Sequence, residues 1–254
     1  MTIYANFICG LQPEKNSSTK IKIFPGAISN GTYNPVDIIE LRNAPVILDM
    51  ETVGALGRDA GTLDDNTCWY IYALADPNGI LPTTFIASQA SSFGGVTIPV
   101  GYTVALLAKL PFAFIYRESM GIPDFRLRGW PSRNTMVYYS DWDVNGWDVV
   151  NANGTGAFVE VDLYSAGVNH WVPASARMVR IHYIFEGLTA GGELRFKLGA
   201  GSVKEQLIDY VPSGGKVVGL REDMTITSAG KFKYKAPVGT KVTLKCLGYM
   251  MSEV

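Results

Sequence analysis

The sequence predicts an all-β protein of short antiparallel strands, with an N-terminal β-domain and a C-terminal jelly-roll-like β-sandwich. Three observations carry this. Several segments of the C-terminal half alternate apolar and polar residues with a period of two. The strand candidates are punctuated by turn formers, with 27 glycines and 13 prolines in 254 residues. No segment keeps the 3.6-residue period of an amphipathic helix.

In chain order, Ile21–Phe24 reads as a short strand that ends at the turn dipeptide Pro25-Gly26. Val36–Leu41 and Pro45–Thr52 follow, and the alternating carboxylates of Asp49-Met50-Glu51 suggest an exposed strand face. A Gly/Asp-rich loop from Gly54 runs into the aromatic strand Thr67–Leu74, and a turn at Asp76-Pro77-Asn78-Gly79 leads to the strand Thr83–Ala87. Residues 117–134 read as a connector, so the domains are expected at 1–128 and 129–254, divided near Gly129.

Alternation is clearest beyond that point. The apolar face is Val159, Val161 and Leu163 in one segment, and Val179, Ile181, Tyr183 and Phe185 in the next. Leu194, Phe196 and Leu198 form a third, Phe232 and Tyr234 a fourth, and Val242, Leu244 and Cys246 a fifth. His182 and Arg180 fall on a polar face. Each apolar face must be covered, which calls for two packed sheets.

Charged residues are 18% of the chain and the net charge is −1, which gives no bulk attraction to nucleic acid or to an anionic membrane. The apolar stretch Tyr102–Tyr116 is broken by Lys109 and Pro111. It is shorter than the ~20 residues of a spanning helix, so no membrane insertion is expected. The first ten residues lack the cationic start and apolar run of a signal peptide. Cys9, Cys68 and Cys246 are odd in number and far apart, which argues against a disulfide framework, and Cys68 and Cys246 fit buried free thiols. These features suit a reducing cytoplasm.

Catalytic signatures do not emerge. Asp64-Asp65 and Glu222-Asp223 are acidic doublets whose neighbours point apart in a strand. His170 and His182 lack metal spacing, and no phosphate-binding or nucleophile motif is present. Asp141-x-Asp143-x-Asn145-Gly146 begins like a calcium loop, but its twelfth position is Ala152 where a bidentate Glu is needed. No metal or cofactor is expected. Trp142 and Trp147 flank that turn, with Trp130, Tyr138 and Tyr139 nearby. Rigid aromatic rings on a loop can stack on sugars or fill a partner's pocket, so these five residues form the candidate recognition surface, with a core or subunit-interface cluster as the alternative. Lys231, Lys233, Lys235, Lys241 and Lys245 suggest a lysine-protected edge, or a surface for an anionic polysaccharide or phosphate.

Taken in order, several of these motifs resemble a family of structural proteins in tailed-bacteriophage virions, found in head fibres, tail fibres and related attachment parts. They are Phe24-Pro25-Gly26, Asp37-Ile38, the loop Gly54–Gly61, Trp69-Tyr70-Ile71-Tyr72 and Ile98-Pro99-Val100-Gly101-Tyr102. Val172-Pro173-Ala174-Ser175-Ala176-Arg177 and Gly248-Tyr249 continue the series. Gly57-Arg58-Asp59-Ala60-Gly61 stands where the family has Gly-Leu-Asp-Thr-Gly, and Thr103 follows Tyr102 where an arginine is usual. The resemblance implies a non-enzymatic virion component, a tail-fibre or head-fibre protein assembled in the host cytoplasm. It implies contacts with other virion proteins, a homotrimer, and a host-surface glycan as a further partner. The alternatives are a capsid decoration protein with virion contacts only, or a carbohydrate-binding adhesin module.

Overall fold

The computed structural model describes residues 8–29, 38–41, 43–76, 78–102, 106–130, 135–139, 148–164, 172–173, 175–197, 205–227 and 230–251. The chain is nearly all β, built of several antiparallel sheets. The one helical piece among the described residues is a three-residue 3-10 turn, Phe93–Gly95. Two compact units divide the chain, residues 1–135 and 136–252.

The first unit contains β1 (Ile8–Gly10), β2 (Pro13–Lys15), β3 (Lys20–Ile23), β4 (Gly26–Ser29), β5 (Ile38–Leu41) and β6 (Val46–Asp49). It continues with β7 (Gly57–Arg58), β8 (Thr67–Ala75), β9 (Thr84–Ser88), β10 (Leu106–Tyr116) and β11 (Phe125–Arg128). Three sheets result, with orders β1-β4-β5, β2-β3-β6 and β10-β8-β9-β7. In the last, the aromatic strand β8 is central, and Trp69, Tyr70 and Tyr72 are buried on it. A run of large side chains buried on both faces explains why β8 shows no alternation. The apolar Tyr102–Tyr116 stretch supplies β10, whose pairing with β8 shifts register between Lys109 and Ala113. That bulge accommodates Pro111, which cannot donate to a ladder.

Two expectations need correction here. Glu51 does not lie on a strand: β6 ends at Asp49, whose carboxylate accepts the Glu51 amide at 3.0 Å and pairs with Lys20 at 2.9 Å. An aspartate that satisfies a backbone donor two residues on closes a turn rather than continuing a strand. Residues 117–134 are not simply a connector, because β11 lies within them.

The second unit contains β12 (Met136–Tyr139), β13 (Asp148–Asn153), β14 (Phe158–Asp162), β15 (Ala176–Gly187) and β16 (Gly192–Lys197). Then come β17 (Glu205–Val211), β18 (Lys216–Thr225), β19 (Lys231–Lys235) and β20 (Thr240–Met251). One sheet runs β13-β20-β15-β18, with β12 pairing the far end of β20, and the other runs β14-β19-β16-β17. Counting β13–β20 as strands one to eight, the orders are 1-8-3-6 and 2-7-4-5. This is the strand order of a jelly roll, two interlocked Greek keys in which first and last strands are neighbours.

Leu198 lies outside the described residues and Val159 is half-buried, and the other alternating residues face the core as their period requires. Val161, Val179, Ile181, Phe185, Leu194, Phe196, Phe232, Tyr234, Val242, Leu244 and Cys246 are all buried. Phe196 and Phe232 meet edge to face with ring centroids 5.7 Å apart. Burial pushes the Cys246 thiol up to about 12. Tyr183 spans the two sheets: it lies over Gly219 of β18, and its hydroxyl donates to Asp209 of β17 at 2.9 Å.

Candidate functional site

The aromatic residues singled out in the sequence occupy different environments. Trp130 is half-buried in the first unit, where its indole N–H donates to the Gly10 carbonyl at 2.7 Å. Tyr139 belongs to the core of the second unit, 2% exposed, with its ring 6.0 Å from that of Tyr249. Tyr138 is half-buried on the other face of β12, and the Arg180 guanidinium lies 4.7 Å from its ring centroid. Trp142 and Trp147 lie outside the described residues, as do Asp141, Asp143, Asn145 and His170.

Arg180 departs from the expectation of an open polar face, since it is only 9% exposed. The register explains this. Tyr138 on β12 and Arg180 on β15 both pair with Gly248 of the intervening β20. With no side chain at Gly248, the arginine can reach across the central strand to the ring, a cation–π contact. A Cβ at Gly248 would also overlap the Val137 carbonyl.

The lysines do not mark an edge. β19 lies between β14 and β16, and β20 between β13 and β15, so both strands are central. Lys231 pairs with Glu160 at 2.9 Å and Asp162 at 3.3 Å, and these carboxylates hold its ammonium above the usual lysine range. Lys245 faces Asp148 at 3.6 Å, and Lys241 sits opposite Glu186. Alternation identifies an exposed face, but it says nothing about which strand lies alongside.

The loops of the recognisable stretch in the first unit are tied internally. Asp59 accepts the Ala60 and Thr97 amides at 2.8 and 3.0 Å, and Asp76 accepts those of Asn78, Ile80 and Leu81 at 2.9–3.1 Å. These bonds hold the Asp76 carboxyl below its ordinary value. Gly101, at φ +100°, completes a turn in which the Tyr102 amide donates to the Pro99 carbonyl. Asp65 accepts the Glu118 amide at 2.8 Å. No group of three or more metal-ligating side chains occurs among the described residues.

The outer face of the β14-β19-β16-β17 sheet carries Lys231, Lys233 and Lys235 of the lysine surface expected from the sequence, together with residues of β14, β16 and β17 that the sequence did not single out. In register across it run Phe158, Lys235, Arg195 and Leu207. Beside that row, Glu193 sits opposite Tyr210, which is 60% exposed. A hollow of about 410 Å³ is lined by Gly156, Glu193, Arg195, Lys235 and Pro237. Arg195 is held by Glu193 at 2.5 and 2.9 Å and by Glu205 at 3.2 Å, which raises its pKa further. The Lys235 and Lys197 ammoniums lie 5.7 and 5.9 Å from the Phe158 ring centroid, and neither has an ion-pair partner among the described residues. The signal was present as Phe158 and the alternating Lys/Arg of β16 and β19. Only the strand order brings those residues side by side.

No protein-family model matches the chain, and no curated protein matches it. Among solved structures, one similar chain is from the structure of infectious bursal disease virus, Gx strain. It is 11% identical over 97% of this chain and 70% of that chain, with a TM-score of 0.24. Another is a glycoside hydrolase family 43 arabinoxylan arabinofuranohydrolase from Bacillus subtilis, in complex with cellotetraose. It is 13% identical over 98% of this chain and 54% of that chain, with a TM-score of 0.21. Likenesses at these scores carry no argument about function.

Proposed function

We propose that the chain is a non-enzymatic structural component of a tailed-phage virion, a tail-fibre or head-fibre protein that acts by subunit assembly and host-surface binding. The observation that carries this reading is the 1-8-3-6 and 2-7-4-5 connectivity of the second unit, an architecture shared by viral shell and lectin domains. The ordered motifs from Phe24-Pro25-Gly26 to Gly248-Tyr249 add the phage resemblance. Its partners are other virion proteins and further copies of itself as a homotrimer. The reading as a glycan-binding adhesin module draws on the mixed aromatic and cationic face around Phe158 and Tyr210.

The test is immunogold labelling of intact phage particles with antibody raised against this chain. Label on the tail or its tip supports a tail-fibre role. Label projecting from the head supports a head fibre, and label spread over the head shell favours the decoration reading. Purified particles that carry no label and no band for this chain sink the proposal.

A further inference from the structure

We propose that the outer face of the β14-β19-β16-β17 sheet binds an acidic glycan, with the anionic group held between Lys197 and Lys235 and a sugar ring seated in the hollow beside Arg195. The inference deepens the host-binding part of the proposed function, and it rests on that reading only for its biological setting.

The first argument is local charge. Lys197 and Lys235 approach one half-buried ring, Phe158, from two neighbouring strands. Like charges repel, and cation–π contacts at an exposed site offset only part of this. The other cations of the face are spoken for: Lys231 and Lys233 share Glu160, and Arg195 is clasped by Glu193 and Glu205. Among the described residues these two ammoniums, 5.9 and 5.7 Å from one ring centroid, have no carboxylate partner, and together they offer a site for an anion.

The second argument is shape and lining. A hollow of about 410 Å³ falls in the range typical of small-molecule sites, roughly 300–1,000 Å³. Its walls offer acceptors at Glu193, donors at Arg195 and Lys235, and an apolar patch at Pro237. A hydroxylated ring with one apolar face needs that mixture. One end is stiffened by the turn before β14, where Gly156 has φ +76° and donates to the Ala236 carbonyl at 2.9 Å. Phe158 and the exposed Tyr210 stand on the first and last strands of the sheet, three strand spacings or ~14 Å apart, so a chain of rings crossing the strands meets an aromatic at each side.

The third argument selects among polyanions. Glu160, Asp162, Glu193 and Glu205 are interleaved with the cations on the same face. A nucleic acid, with one phosphate per residue, would meet these carboxylates at close range, and the whole chain carries a net charge of −1. A glycan with sparser charges and many hydroxyls can place its acid at Lys197 and Lys235 and donate hydroxyls to Glu193.

The experiment is calorimetric titration of the full chain with tetragalacturonate, with a glycerol-phosphate teichoic acid oligomer, with neutral maltotetraose and with a 12-nucleotide single-stranded DNA. Binding of either acidic glycan probe, absent for maltotetraose and weakened at least tenfold by Lys197→Gln/Lys235→Gln, is the expected result. The probe that binds identifies a carboxylate or a phosphate source. Tyr210→Ser weakens it several-fold, and Lys216→Gln, on the other sheet, leaves it unchanged. These side chains lie on the outer face, and a matching urea midpoint establishes that each variant is folded. Three results overturn the proposal: no binding of either acidic probe at millimolar concentration, binding unaffected by the double variant, or equal affinity for the DNA. Because the assay uses the isolated chain, a null here leaves particle labelling standing. Unlabelled particles likewise leave a positive titration standing.

Discussion

Removing one hydroxyl, by Tyr183→Phe, probes how the two sheets of the second unit are joined. The Tyr183 ring, 6% exposed, starts on β15, crosses Gly219 of β18 and ends at Asp209 of β17 in the opposite sheet. A hydrogen bond to a charged group contributes about 1.5–3 kcal/mol net. Asp209 is half-exposed and can recover water when the hydroxyl goes, so the contribution is discounted to at or just below the bottom of that range, about 1–1.5 kcal/mol. The ring remains, so no cavity cost is added. Urea unfolding should therefore show a lower midpoint with an unchanged slope for the transition of this unit. A double-mutant cycle with Asp209→Ala should return a coupling of about 1 kcal/mol, because each substitution removes the same bond. The neighbouring Gly219 offers an independent check: a Cβ there would strike the Tyr183 ring, so Gly219→Ala should cost about 1–3 kcal/mol by displacing it. A Tyr183→Phe variant as stable as wild type, with zero coupling to Asp209, would refute the inter-sheet tie.

Other expectations follow from the same geometry. Titration with a thiol reagent at pH 8 should modify Cys9 alone in the folded chain and all three cysteines after unfolding, since Cys68 and Cys246 are buried. Early reaction of Cys246, whose thiol is pushed up to about 12, would contradict that packing. Gly248→Ala should destabilise the second unit by about 1–3 kcal/mol in urea unfolding, because the added methyl meets the Val137 backbone rather than a side chain that can move. A neutral outcome would mean that β12 does not approach β20 as described.

Lys109 gives a pH dependence. Burial lowers its pKa from the ordinary 10.5, while its ammonium donates to the Ser91 carbonyl at 2.9 Å and lies 4.3 Å from the Tyr70 ring centroid. Between the folded pKa and 10.5 the unfolded chain binds more protons than the folded one, so this group's contribution to stability rises with pH in that window. Urea unfolding at pH 8 and pH 10 should therefore show wild type gaining stability relative to Lys109→Met. A constant difference, or one that moves the other way, would show that the amine is not desolvated.

The inner face of the second unit was legible because a half-buried strand writes its orientation into alternate residues. Val179, Ile181, Tyr183 and Phe185 are a clear case, and all four are buried. Strand partners were not legible. β19 reads Lys-Phe-Lys-Tyr-Lys whether it lies at an edge or in the middle, and its central place depends on β14 and β16, which are far away in sequence. β10 was hidden by its own composition, an unbroken apolar run with a proline at the bulge. Phe158 drew no notice as a surface residue, because it acquires Lys197 and Lys235 as neighbours only through non-local pairing. Trp130 and Tyr139 looked like recognition residues by type, yet one indole is bonded to Gly10 and the other ring packs on Tyr249. Residue type alone does not separate a ring that recognises a partner from one that fills a core.

The connectivity of the second unit carries the proposed function, and it can be read directly from cross-strand nuclear Overhauser effects in the labelled full chain. The jelly roll requires contacts between β13 and β20, with Asn151 facing Thr243 and Asn153 facing Lys241 across about ninety residues of chain. It also requires that β13 make no ladder with β14, the next strand in sequence. Effects between β13 and β20 are the result this architecture predicts. A β13–β14 ladder, as in a simple meander, would contradict it.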